Sequence, residues 1–368
     1  MQNPSRTNPF LFTLLSVILA LVIAALLVLS IGKNPLDVLT NILEGAFRNT
    51  NAFTGVLNFW IPLSLACVAL IVTFRAGLWN IGIEGQILMG AIFASWGALN
   101  INLPPELSPI LILIEIGLAI IGGMLWAGIV GVLKVWLGVN EIFGGMALNS
   151  LASVWAIYLV AGPWYPEGGS AQSSAPFPSH AVLPGISSEW PVSLFALIIT
   201  GLALIVVPFL LDRTRWGLQL KATGKNPRSA LLLGVATDRI AMSAFLVCGA
   251  LAGVAGAYRV LFTYGSFRPL ASGSIGFLGL LVVLLASSRA VWVPLITFAF
   301  SAILAGSTRL RVSMQLDASL AGVLQGTVVL LFLLLGGVRQ RIEQNSKAAQ
   351  STHKTNAIPD TTSEVISR

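Results

Sequence analysis

Residues 10–31 run for 22 positions without a single charge or amide. A stretch of that length is what an α-helix needs to cross the roughly 30 Å hydrocarbon core of a bilayer. Comparable apolar runs recur near residues 59–74, 87–101, 108–137, 142–161, 191–211, 240–262, 275–287, 290–305 and 316–337. Backbone in lipid has to satisfy its own hydrogen bonds, so such runs fold as helices. The expectation is an all-α polytopic membrane protein of about ten transmembrane helices. Composition supports it: of 368 residues 56% are hydrophobic and 10% charged, where a soluble chain averages about 25% charged. A soluble enzyme, a nucleic-acid binder and a disordered linker are all excluded by that balance. The run at 10–31 exceeds a signal-peptide core of about 7–15 residues and reads as an anchor helix. The run at 275–287 is too short to cross alone unless the segment before it re-enters the membrane.

The formal net charge of +7 does not point to nucleic acid, because the basic residues form no stripe with aromatics between them. They sit in short loops between apolar runs, where Lys and Arg set membrane orientation. An even number of spans places both termini on one side. With that side cytoplasmic, fifteen of the 21 Lys and Arg residues fall inside, and Lys33, Arg48, Arg268, Arg309 and Arg311 fall outside. Three regions follow: residues 1–58, an anchor helix and interfacial segment; 59–337, the transmembrane domain, with an external loop at 162–190 and a cytoplasmic loop at 212–239; and a polar cytoplasmic tail at 338–368. Cys67 and Cys248 lie inside apolar runs without metal spacing and read as packing residues.

No catalytic constellation is present, and no metal site. His180 and His353 fall in an outer loop and in the tail, and there is no paired-carboxylate motif. GLQLKATGKN (residues 217–226) lacks the spacing and the hydroxyl of a phosphate loop, so any ATP used here is hydrolysed on another chain, and no cofactor is bound directly.

What remains is polar chemistry set in apolar surroundings, which is costly and so marks function. FRAGLWNIGIEGQ (residues 74–86) loosens the chain between two helices with three glycines. Asn80, Glu84 and Gln86 supply donors and acceptors there, and Phe74 and Trp79 supply flat apolar faces. That mixture suits a polar, ring-containing solute; the alternative is a short turn with helix-capping residues. Asn149 either lines the same path or bonds a neighbouring helix. YGSFRPLASGSIGFLG (residues 264–279) is a second glycine-rich interruption. Breaks at corresponding places in two halves suggest a pseudo-repeat, here residues 59–161 and 240–337. Glu115 and Arg259 fall inside spans and are expected to snorkel toward the interface.

In the loop DRTRWGLQLKATGKNPRSALLLGVATDR (residues 212–239), Asn226 followed by Pro227 reads as a helix cap and first helical residue. A short helix over residues 228–233 is expected, ended by Gly234. Projecting from a membrane bundle, it would serve as a docking device.

These two stretches resemble permease subunits of bacterial ATP-binding-cassette (ABC) importers in the branched-chain amino acid, ribose and nucleoside group. GLWNIGIEGQILMGA (residues 77–91) is similar to the nucleoside-type signature Asn-Ile-Gly-x-Glu-Gly-Gln. WGLQLKATGKNPRSALLLGV (residues 216–235) resembles the family's cytoplasmic segment at Gly217, Ala222, Gly224, Asn226, Ala230 and Gly234, and FLVCGALAGVAGA (residues 245–257) resembles its next helix. Near the start of the eighth span, where the family often carries an acidic residue, this chain reads SIGFLGLLVVLLASSR. The resemblance implies a permease subunit in a bacterial plasma membrane, carrying a nucleoside-like solute. It implies a second permease subunit, often a different chain, an extracytoplasmic solute-binding protein, and a separate ATPase docking near Gly217, Gly224, Asn226, Pro227, Arg228, Ala230 and Gly234. The same machine for a simple sugar is the alternative. A stand-alone secondary carrier would show deep acidic or histidine chains, and a membrane enzyme would show a nucleophile or metal motif; neither is present.

Overall fold

The computed structural model describes residues 28–166, 172–287 and 289–315, with isolated helical positions at 18, 19, 22, 23, 25, 26, 322, 323, 326, 327, 330 and 334. Most of the expected spans at 10–31 and 316–337, and the whole tail at 338–368, lie outside the described residues. The chain divides into two units, residues 36–322 and residues 1–35 with 323–368. In the smaller unit a helix ends at residues 28–30, where the Ile31 and Gly32 N–H groups bond the Val28 and Leu29 carbonyls and Gly32 takes φ 74°.

The larger unit is helical, with no strand among the described residues. Helix α1 (Pro35–Phe47) buries Val38, Ile42 and Ala46, a stripe at helical spacing. A short helix was expected before residue 58, and this one falls there. Helix α2 (Thr50–Arg75) starts earlier than the apolar run suggests, because Asn49 caps it by accepting the Ala52 N–H at 2.8 Å. The boundary expected at residue 58 therefore falls within a continuous helix. Its polar first turns are explained by contacts: Asn58 donates to the Pro191 carbonyl at 3.2 Å and accepts from the Tyr258 hydroxyl at 2.8 Å. Every residue from Ile61 to Thr73 is buried. A helix apolar all round its circumference is an interior helix, and from Ile61 to Thr73 α2 is one.

The other long helices are α3 (Ile83–Asn100), α4 (Ser108–Val135), α5 (Glu141–Ala161), α6 (Leu194–Arg213), α9 (Thr237–Tyr258) and α11 (Val293–Met314); α6, α9 and α11 pack on α2, while α3 and α4 pack on α9. Two short helices, α7 (Arg215–Lys225) and α8 (Pro227–Leu232), join α6 to α9, and α10 (Ile275–Leu285) precedes α11. Helix α9 continues into a π-helical turn, Arg259–Tyr264. Among the described residues, six stretches are long and apolar enough to cross a membrane: Thr50–Arg75, Pro105–Val135, Glu141–Ala161, Leu194–Arg213, Thr237–Tyr264 and Ala290–Leu310. Helices α5 and α6 sit at the edge and expose Phe143, Val154, Tyr158, Ile205 and Phe209.

Three of the helices meet backbone to backbone. A Cβ on Gly90 of α3 would overlap Gly253 of α9, and one on Gly123 of α4 would overlap the carbonyl oxygen of Gly249. Lipid tails give helices no hydrophobic reason to associate, so small residues that permit close van der Waals contact and weak backbone bonding hold them together. The glycine content of FLVCGALAGVAGA is thereby explained as packing.

Gly123→Ala should destabilise the bundle by about 1–3 kcal/mol, the usual cost of overpacking. Gly117→Ala, on the same helix with open space around it, should be neutral or stabilising by up to about 1 kcal/mol. Thermal unfolding in detergent checks both; equal effects would remove the close-packing account.

Candidate functional site

The glycine-rich break is shorter than its sequence suggests. Helix α2 ends at Arg75 and α3 begins at Ile83, so Glu84 and Gln86 lie in the first turn of a helix and residues 76–82 alone are non-helical. Gly77 takes φ 73° in the turn that closes α2.

Its polar side chains are wholly engaged within the protein. Asn80 and Gln86, both fully buried, exchange two amide hydrogen bonds of 3.0 Å each. Asn80 Nδ2 also donates to Cys248 Sγ at 3.1 Å, giving that cysteine a bonding role as well as a packing one. From α5, Asn149 accepts the Gly85 N–H at 2.8 Å and donates to the Ile81 carbonyl at 2.9 Å. Each buried bond is worth about 1 kcal/mol net, and each group left alone would cost about 1–3 kcal/mol. The network therefore fixes one conformation of the break.

Glu84 reaches in another direction. Its Oε1 accepts the Ser274 N–H at 2.9 Å and its Oε2 the Gly276 N–H at 2.7 Å, which places a carboxylate on the free N–H groups that begin α10. An anion is favoured there by hydrogen bonding and by the helix dipole together. The approach depends on Gly276, where a Cβ would lie 2.6 Å from Glu84 Oε2. The sequence does not single out Gly276; a glycine opening an apolar run was the available signal.

Phe74 and Trp79 form an edge-to-face pair, centroids 5.1 Å apart. Trp79 is 43% exposed, the most open of the residues expected on the solute path. Its N–H faces Glu141 Oε1 at 3.4 Å, while Glu141 Oε2 pairs with Lys134 at 2.6 Å.

At the end of the bundle where α2 stops, α7 packs on the break itself. A Cβ on Gly224 would collide with the Arg75 carbonyl and the Gly77 nitrogen, so the two glycines bring backbones into contact. Arg75 also pairs with Asp212 at 3.1 Å. Thr214 caps α7 through the Gly217 N–H at 3.2 Å, and Asn226 caps α8 through the Ser229 N–H at 3.1 Å, with Pro227 at the first helical position. Helix α8 ends before Gly234, which takes φ 81°. It is anchored by buried Ala230 and presents Asn226, Pro227, Arg228 and three leucines outward; Leu232 is 88% and Leu233 82% exposed. The α8 expectation matches to one residue. Helix α7 was expected as loop, because Gly217 and Gly224 weaken helix propensity; both are there for close packing.

Two expectations are corrected. Glu115 and Arg259 do not snorkel: they are 0% and 4% exposed. Arg259 donates to the Ala271 carbonyl at 3.0 Å and to the Tyr264 hydroxyl, and lies over the Phe59 and Tyr264 rings. Neither carboxylate oxygen of Glu115 has a partner among the described residues. Arg259, at the end of α9, is turned onto the segment that follows, and Glu115 is packed against Gly97 of α3.

The apolar helices, the buried amide network at the break and the capped helix packed on that break make a helical bundle whose interior is joined to an exposed end. The chain belongs to the family described as branched-chain amino acid transport system / permease component, which matches residues 52–334. It is thus a permease component of a transport system. It is 29% identical over 345 residues to a glucose ABC transporter permease protein of Haloferax volcanii, covering 90% of each chain. It is 27% identical over 330 residues to a guanosine ABC transporter permease protein of Bacillus subtilis, covering 88% of this chain and 93% of that one. With a nucleoside ABC transporter permease protein of Lactococcus lactis it shares 25% identity over 314 residues, covering 82% and 85%. No solved structure matches the chain.

Asn149→Ala strands the Gly85 N–H and the Ile81 carbonyl together, at a cost of about 2–4 kcal/mol. Detergent unfolding should show it, and an unchanged transition would dissolve the network as a structural element.

Proposed function

We propose that the chain forms the translocation pathway for a nucleoside-like solute, delivered by an extracytoplasmic binding protein and driven by a separate ATPase that docks on α7 and α8. The single observation that carries this is the contact of Gly224 with Arg75 and Gly77, since it joins the exposed docking helix directly to the broken segment. Two relatives with nucleoside or guanosine in their names, and the motif NIGIEGQ beside an aromatic pair, support the solute. A simple sugar is the second reading, favoured by the relative named for glucose.

In this reading the bundle has about ten spans in a bacterial plasma membrane, with both termini cytoplasmic and with pseudo-repeats at 59–161 and 240–337. A second permease chain completes the path. Phe74 and Trp79 face the solute. Asn80, Glu84, Gln86 and Asn149 set the shape of the wall behind them. Gly217, Gly224, Asn226, Pro227, Arg228, Ala230 and Gly234 build the coupling element. Its exposed leucines fit an apolar cleft on the ATPase, and closure of the ATPases would push α7 against the α2–α3 break. A rigid element with two discrete positions is what such a switch requires.

Uptake of labelled guanosine, ribose and glucose into vesicles carrying the full transporter tests the reading. Nucleoside uptake that needs ATP and the ATPase is expected. Leu232→Asp with Leu233→Asp should lower it at least tenfold while the permease still inserts. Sugar uptake alone would replace the solute, and uptake that persists without any ATPase would overturn the mechanism.

A further inference from the structure

Between α9 and α10 the chain abandons regular helix. After the π-helical turn Arg259–Tyr264 it passes through residues 265–274 before α10 begins at Ile275. One side of this segment is buried: Ala271, Ser272, Ile275 and Gly276. The other side is open: Arg268, Leu270, Gly273, Ser274 and Phe277 are exposed, Leu270 at 80% and Phe277 at 43%.

The depth of that open face is what matters. Ser274 is bonded to Glu84, in the first turn of α3. Gly279 packs on Ala66 and Leu70, and its carbonyl faces Cys67 Sγ at 3.7 Å. Cys67 is eight residues from the Arg75 end of α2, about 12 Å at 1.5 Å per residue, in the part of that helix that is buried all round. The exposed face of residues 268–277 therefore reaches the middle of the bundle. Non-helical backbone at membrane depth is tolerated only where protein buries it or where it lines a water-filled cavity. This side is not buried by the chain.

The segment is also held from outside itself. The loop after α5 pairs with it: Ser174 N donates to the Phe267 carbonyl at 2.8 Å, Phe177 N to the Gly265 carbonyl at 2.8 Å and Leu183 N to the Leu261 carbonyl at 3.0 Å. Arg259 holds the Ala271 carbonyl, and Glu84 holds the two N–H groups that open α10. Ser274 sits at φ 62°, a left-handed conformation that an L residue seldom adopts without such support.

We propose that the open face of residues 268–277 is a wall of the solute pathway, with Leu270, Ser274 and Phe277 as its contact residues, and that Glu84 is the positioning residue that latches this wall to α3. The wall suits an uncharged, hydroxylated ring. Phe277 offers a flat face, Ser274 a hydroxyl, and the neighbouring Glu84 carboxylate is already spent on the α10 N–H groups. The solute rests on the transport reading above; the geometry of the wall does not.

The test uses the full transporter in vesicles and a water-soluble methanethiosulfonate reagent. The native Cys67 and Cys248 are fully buried and give a low background. Ser274→Cys and Phe277→Cys should react at least tenfold faster than Ile205→Cys, which is exposed on α6 at the edge of the bundle. Guanosine with its binding protein should slow the reaction at least threefold, and the rate should differ between resting and ATP-trapped states. Glu84→Ala should abolish that difference while the complex still assembles, an effect that a purely structural role would not produce. Reaction rates equal to that of Ile205→Cys, or rates indifferent to the ATP state in the presence of Glu84, would overturn the wall. Fast, state-dependent labelling that guanosine fails to slow would uphold the wall and overturn the nucleoside.

Discussion

A carboxylate placed inside an apolar bundle must find donors, and a helix that begins there must find acceptors. Glu84 and the first turn of α10 solve both problems in one contact, with bonds of 2.9 and 2.7 Å to Ser274 and Gly276. Either partner alone would be a buried polar group without compensation, and hydrogen bonds to an ionised group are about twice as strong as neutral ones. The break after α2 and the broken start of α10 therefore stabilise each other. Two distant parts of the chain are made into one element.

That element is continuous with the end of the molecule where α8 is exposed. Helix α8 projects its leucines, α7 carries it, and Gly224 sets α7 on the backbone of residues 75–77. From there seven non-helical residues, fixed by the Asn80–Gln86 and Asn149 bonds, lead to Glu84. Because the Asn80–Gln86 and Asn149–Gly85 bonds in this path are short and buried, the path resists stretching; displacement at α8 has to be absorbed by moving α10 or by breaking the network. Interiors packed this tightly shift between discrete arrangements rather than deforming smoothly.

Much of this is legible in the sequence because it is local. Apolar runs give the helices, Asn226-Pro227 gives the start of α8, and the spacing of glycines and amides gives the break. Less legible is everything that depends on a distant partner. Gly217 and Gly224 look like helix breakers until the backbones they approach are known. Cys248 looks like a filler until Asn80 is placed beside it. Arg259 and Glu115 follow a rule for side chains near helix ends and are instead enclosed by other helices. The start of α3 was placed too late because Glu84 and Gln86 read as loop polarity, while their partners lie on α10 and on the turn at Asn80.

The central claim is that the docking helices and the start of α10 move as one through Glu84. Amide hydrogen exchange at Ser274 and Gly276, whose N–H groups the Glu84 carboxylate holds, reads that link directly. The account predicts slow exchange in the resting transporter and markedly faster exchange when the ATPase is trapped with ATP, with no such change when the ATPase is absent. Exchange that is fast at rest, or identical in both states, would contradict it.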